Sequence, residues 1–305
     1  MNSAGDTARR IRAKRRGNSL GFGVFKTALR VFGLRGAYGL LYLVCLHYTL
    51  FDRAAVRAAA AYLARRFPGR GRMRLRWDVY RLFVSQGRQL IDRYALMTGA
   101  VKFEIRMDGE ERLRETLDQG GGFVLLTAHV GNWQTVMGFL QRLDRKVNLV
   151  MRPEDNPAVQ ESLQLDSADD KVGLISPEGY LGGVVEAMNA LGRGEVVSLM
   201  GDRSYGFSPV AVEFLGSRAG FASGAFHLAA MAGCPVVTLL SAKTGLKQYD
   251  LAVAALWRPR YDKGLPKQEQ LRGWVQDFAH VLESFVRRHP FQCFLFHDVW
   301  ADAPV

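Results

Sequence analysis

The sequence predicts an α/β protein, with a mixed central sheet flanked by helices and an N-terminal helical membrane anchor. Three observations carry that expectation. From Phe103 onward, short apolar runs alternate with helical stretches, a texture that puts strands into a sheet covered by helices. Residues 36–51 (GAYGLLYLVCLHYTLF) contain no Asp, Glu, Lys or Arg. Charge is also divided along the chain: residues 1–93 hold 20 Lys/Arg against four acids, and residues 94–305 hold 21 against 25. The formal charge of +12 is thus a +16 N-terminal third joined to a −4 remainder.

The first segment opens with a basic cluster, Arg9, Arg10, Arg12, Lys14, Arg15 and Arg16. Such clusters attract nucleic acid, anionic headgroups or an acidic protein. The apolar run at 36–51 falls short of the roughly 20 residues a bilayer-spanning helix needs. With the weaker apolar stretch 19–34, broken by Lys26 and Arg30, it predicts two short helices joined near Gly33–Gly36. The expected role is an interfacial or re-entrant anchor, held to a membrane surface of anionic lipid on the cytoplasmic side. A buried amphipathic helix with a basic flank is the competing reading. A cleaved signal peptide is disfavoured, because the apolar run starts late and no small-residue site follows it.

Residues 1–51 therefore read as basic tail and anchor, and 52–305 as one globular domain whose first part, 52–98, is helical and basic. Helical spacing of apolar positions marks 53–66 and 77–98, with Phe67-Pro68-Gly69 breaking the first. Strands are predicted at 122–127, 147–151, 196–200, 210–214, 235–240 and 249–256. Helices are predicted near 110–119, 132–142, 157–164, 180–192, 222–232 and 267–288. Cys45, Cys234 and Cys293 are odd in number and lack ligand spacing, which argues against a disulfide framework or a zinc site. Asp166, Asp169 and Asp170 match no metal-ligand pattern, so no metal is expected. No nucleic-acid-binding face accompanies the basic cluster, and no nucleic-acid partner is expected.

Chemistry concentrates at 123–134, Phe-Val-Leu-Leu-Thr-Ala-His129-Val-Gly-Asn132-Trp-Gln134. A buried strand ends at a histidine, a glycine turn follows, and a helix starts near Asn132. That junction seats an imidazole facing a cleft, beside the amide N–H groups of a helix start. It suits a general base with an anion-holding donor array. A lone histidine that merely caps a strand is the alternative.

The HVGNWQ stretch resembles the His-x4-Asp/Glu motif of the lysophospholipid acyltransferase superfamily, in a context similar to the bacterial lipid A biosynthesis (lauroyl/myristoyl) acyltransferases. Further blocks match in order: Met151-Arg152-Pro153 with Asn156-Pro157; Gly201-Asp202-Arg203-Ser204-Tyr205-Gly206; Phe214-Leu215-Gly216 with Phe221, Gly224, Leu228-Ala229 and Pro235-Val236-Val237; and His289-Pro290-Phe291-Gln292 with Phe296-His297-Asp298-Val299-Trp300. The resemblance spans about 100–300. It implies a glycerolipid acyltransferase-like domain at the cytoplasmic face of the bacterial inner membrane. It also implies transfer of a fatty acyl group from acyl carrier protein, or acyl-CoA, to a hydroxyl or amine of a lipid acceptor. These are co-substrates, and no cofactor is implied.

Carried over residue by residue, the resemblance makes His129 the base and puts Gln134 where an acid is expected. Glutamine keeps the length and accepts a hydrogen bond but supplies no charge. Three readings follow: another carboxylate, first of all Asp202, takes the role; the acceptor needs less base assistance; or the protein is a catalytically impaired lipid binder. Arg152 is read as an anchor for a substrate phosphate or as a surface arginine. Asp202 and Arg203 sit at a strand end where ligands gather, or form a structural pair. Asn132 is a substrate-binding candidate, with helix capping as its blander role. The Arg-rich segment 53–93 offers a docking face for an acidic carrier.

Overall fold

The computed structural model describes residues 19–140, 145–151, 171–178, 180–203, 209–301 and 303. Arg152, the helix expected at 157–164 and Asp166, Asp169 and Asp170 lie outside the described residues, as does the basic cluster 9–16. Three helices come first: α1 (Ser19–Phe51), α2 (Arg53–Arg66) and α3 (Arg72–Met97). The remainder runs β1 (Glu104–Asp108), α4 (Glu110–Asp118), β2 (Phe123–Thr127), α5 (Trp133–Leu140), β3 (Val147–Val150) and β4 (Val172–Ile175). It continues with α6 (Val184–Gly192), β5 (Val196–Met200), β6 (Val210–Phe214), β7 (Ser217–Phe221), α7 (Gly224–Ala232), β8 (Val236–Lys243), β9 (Gln248–Trp257) and α8 (Lys267–Arg288).

Seven strands form one sheet in the order β1-β9-β8-β2-β5-β3-β4. Every pairing is parallel except β8 with β9, so the sheet is mixed, as expected. The central strand β2 is buried along its whole length, which explains its unbroken apolar run. Its alternate side chains enter two cores. Phe123 and Leu125 pack with Val136, Met137 and Leu140 of α5 and Leu113 of α4. Val124 and Leu126 pack on the opposite face with residues of α6, α7 and α8, among them Ala187, Phe226 and Phe278. The strand expected at 210–214 forms, but it pairs with β7 in a separate two-stranded sheet.

Three strands escaped the sequence reading: β1, β4 and β7. β1 and β4 are the two edges of the large sheet. An edge strand such as EIRMD, exposed at alternate positions, carries charges on its open side and so lacks the apolar run that marks a central strand.

α1 bends at Gly33, whose φ of 63° and ψ of −165° lie outside the helical region. Glycine meets that conformation without the clash a Cβ would bring, and the break falls where the sequence placed it. Beyond the bend, Leu34, Ala37, Tyr38, Leu41, Cys45 and Thr49 are buried, a stripe of helical period packed on α3. The other face leaves Val31, Phe32, Leu43, Leu46, Leu50 and Phe51 exposed. Over Gly23–Phe51, 29 residues, the helix is long and apolar enough to cross a membrane. It is a candidate membrane anchor longer than the 16-residue run alone suggested.

The N-terminal helices lock onto the C-terminal part of the chain. Tyr62 of α2 donates to the Pro290 carbonyl (2.8 Å), and Arg66 donates to the carbonyls of Val286 (3.0 Å) and Arg287 (2.8 Å) at the end of α8. A polar cluster does the same for α1 and α3. The Asp92 carboxylate, fully buried on α3, accepts from Tyr38 of α1, from Tyr249 of β9 and from Lys243 Nζ of β8 at 2.6 Å. Removing one partner of a buried ion pair strands the other charge. Asp92→Ala is expected to lower unfolding stability by about 3–5 kcal/mol. Asp92→Ala/Lys243→Met should recover a large part of that loss, both read by denaturant titration of the purified protein.

Candidate active site

β2 and β5 are neighbours in parallel register, Thr127 opposite Met200. Each chain runs two residues beyond that pair, to His129 and to Asp202, while the Gly201 amide still bonds the Thr127 carbonyl at 2.9 Å. Equal overrun from an in-register pair brings the two side chains together. His129 Nδ1 lies 3.0 Å from both carboxylate oxygens of Asp202, and the His129 backbone N–H donates to Oδ2 at 3.1 Å. The carboxylate is fully buried, whereas the imidazole keeps about a quarter of its surface exposed.

Burial by itself pushes the Asp202 carboxyl up. The charge and hydrogen bonds of His129, with the Arg203 guanidinium, outweigh that effect and hold it below its ordinary value. An ionised carboxylate only accepts, so Nδ1 carries the proton toward Asp202 and Nε2 keeps its lone pair. Buried acid, oriented imidazole and a ring edge open to solvent make up a general-base arrangement.

The turn that aims the histidine is held from three sides. Gly131 adopts φ of 54°, and a Cβ there would lie 1.5 Å from the Ser241 carbonyl oxygen, so no larger residue fits. The segment after α8 pairs with it: Gly131 N donates to the Gln292 carbonyl, Phe294 N to the His129 carbonyl (both 2.8 Å), and Val130 bridges Cys293. The Gln292 side chain spans the gap to β8, donating to the Lys243 carbonyl (2.9 Å) and accepting from the Lys243 amide (2.7 Å) and from Gln89 of α3 (3.2 Å).

Several amides of the array expected beside the histidine are engaged internally. The His129 amide bonds Asp202, Val130 bonds the Ala128 carbonyl, Gly131 bonds Gln292, and Thr135 bonds the Asn132 carbonyl. Asn132 is buried and caps α5, its Oδ1 accepting from Gln134 N at 3.2 Å and its amide nitrogen reaching Tyr249 at 3.5 Å. Gln134 makes no hydrogen bond to His129 among the described residues, and its Oε1 is buried with no partner there. Arg203 donates to the Phe294 carbonyl at 3.3 Å, steadying the same segment, and its Nε is buried with no partner among the described residues. Met137, on α5 itself, packs in the core. His47 on α1 lies tilted against Phe51 at 4.8 Å between ring centroids, and His227 on α7 bonds Tyr261 at 2.7 Å. Among the described residues, no cluster of three or more His, Cys, Asp or Glu could hold a metal.

Sequence reasoning thus ranked Asp202 first among substitute acids, and the structure brings it to His129. It did not assign a role to Gln292, although the residue lay in a matched block. The depressed Asp202 carboxyl has a consequence for stability. A group whose folded pKa lies below its unfolded one stabilises above the unfolded value, about 3.9 for Asp, and that contribution is lost as pH falls through the folded value. Asp202→Asn is expected to be less stable than wild type at pH 7, with the gap beginning to close below about pH 4. Denaturant unfolding at both pH values reads it.

No curated protein sequence matches the chain. The family model described as bacterial lipid A biosynthesis acyltransferase matches residues 91–302, from the second half of α3 to the C-terminal segment that clamps the histidine turn. With a match across well over half its length, the chain belongs to the bacterial lipid A biosynthesis acyltransferase family.

Proposed function

We propose that this acyltransferase moves a fatty acyl group from the thioester of acyl carrier protein, or of acyl-CoA, to a hydroxyl or amine of a lipid acceptor, with His129 as general base. The observation that carries the reading is the His129–Asp202 contact at the ends of two adjacent parallel strands. Nε2 takes the acceptor's proton as its oxygen or nitrogen attacks the thioester carbonyl. Collapse of the tetrahedral adduct breaks the C–S bond, and the imidazolium returns the proton to the departing thiolate. Asp202 fixes the ring through Nδ1–H and stabilises the transient imidazolium, as the buried acid of a catalytic triad does. Gln134 then needs no charge. The alternative, an impaired lipid-binding relative, drew on Gln134 replacing the acid, and a carboxylate already on His129 favours turnover instead.

Two features of α1 and α3 support the proposed location and donor. An apolar face left exposed on α1 supports an interfacial anchor at the cytoplasmic side of the inner membrane, in contact with anionic lipid. Beside it, Arg72, Arg74 and Arg76 are exposed on the first turns of α3, next to exposed Met73 and Trp77. That basic face suits an acidic carrier protein or the phosphates of coenzyme A.

Purified protein in detergent, given acyl-carrier-protein and acyl-CoA donors with lipid acceptors, tests the reading. His129→Ala should abolish transfer. Asp202→Asn should lower it by about 10⁴-fold, the scale seen when a triad acid becomes an amide. Gln134→Glu should change it by less than about tenfold. An inactive wild type beside an active Gln134→Glu variant would overturn the assignment of Asp202.

A further inference from the structure

Arg93 lies on α3 with 8% of its surface exposed, and its Nη2 is buried without a hydrogen-bond partner. Among the described residues it forms no ion pair. Its neighbour Asp92 is engaged by Tyr38, Tyr249 and Lys243. The guanidinium carbon sits 5.0 Å from the ring centroid of Trp133, the first residue of α5 and four positions after His129. One helical turn back on the same face of α3, Gln89 bonds Gln292, which holds the Gly131 amide. That face of α3 therefore covers the catalytic turn from Gly131 to Trp133. Two further acceptors, Gln89 Oε1 on α3 and Gln134 Oε1 on the first turn of α5, are buried without a partner among the described residues.

A buried guanidinium without an anion is costly, and the cost falls when a fixed anion arrives. We propose that Arg93, laid on Trp133 beside the histidine turn, is the seat of a substrate phosphate, whose neighbouring hydroxyl or amide N–H groups are met by the side-chain oxygens of Gln89 and Gln134. Forked donors and a flat cation suit phosphate oxygens. Burial lowers the Arg93 pKa to about 10, so it stays cationic at neutral pH. The phosphate of a phosphopantetheine arm and that of a phosphorylated sugar acceptor share this chemistry, since both carry hydroxyl or amide donors nearby.

Calorimetry and thermal unfolding of the full-length protein in detergent, with 4′-phosphopantetheine and glucosamine 1-phosphate as probes, test the site. Either probe should raise the Tm of wild type and of His129→Ala but not of Arg93→Met. Arg93→Met alone should be as stable as wild type or more so, because it removes an uncompensated charge. In turnover, Arg93→Met should raise one KM by about tenfold or more with kcat little changed, and Arg93→Lys should restore part of the loss. A raised donor KM assigns the phosphate to the carrier arm, and a raised acceptor KM assigns it to the lipid headgroup. A lower Tm for Arg93→Met with both KM values unchanged would make Arg93 structural, and equal probe binding by wild type and Arg93→Met would place the phosphate elsewhere. The calorimetric arm needs no turnover, so its failure would sink the anion site while leaving acyl transfer standing.

Discussion

The parallel pairing of β2 with β5 sets the rest of the site. Thr127 opposite Met200 fixes where both strands end, and each strand then carries its functional side chain two residues further on. A register slip of one residue would turn His129 or Asp202 to the other face of the sheet. The register is secured by burial, since β2 is covered on both faces and its alternate residues enter separate cores. The His129–Asp202 geometry is thus a by-product of hydrophobic packing at the centre of the sheet.

Around that pairing the chain closes on itself. The segment 292–294 strand-pairs with the histidine turn, Gln292 joins it to β8 and α3, and α2 ties down the end of α8. The Asp92 cluster links α1 to β8 and β9 and, through Tyr249, touches Asn132 at the start of α5. The apolar N-terminal helix and the histidine turn are therefore joined through one continuous set of buried polar contacts.

Much of this layout was legible in the residues. The helix at 267–288, the strand over 249–256 and the break near Gly33 were each marked by strong local signals: an amphipathic period, an apolar run, a glycine. β1 and β4 were not legible, because edge strands face solvent on one side and their charged or glycine-bearing sequences resemble loops. The amides beside His129 were legible only in part. Helix starts leave amides free in general, and here Asp202, Gln292 and Asn132, distant in sequence or serving as the cap, take those of His129, Gly131 and Gln134.

By itself the sequence determined that a histidine ends a buried strand and that the basic charge belongs to the N-terminal third. Those are local or compositional properties, and periodicity or counting reads them. The acid missing five residues after His129 was legible only through the family resemblance. Only the tertiary structure decided which carboxylate meets His129, that Gln134 stands apart from it, and that Arg93 is buried beside the same turn with no counter-ion among the described residues. Such contacts join residues far apart in the chain, 73 positions for His129 and Asp202. Their distances are set by strand register and helix packing, which no linear spacing encodes.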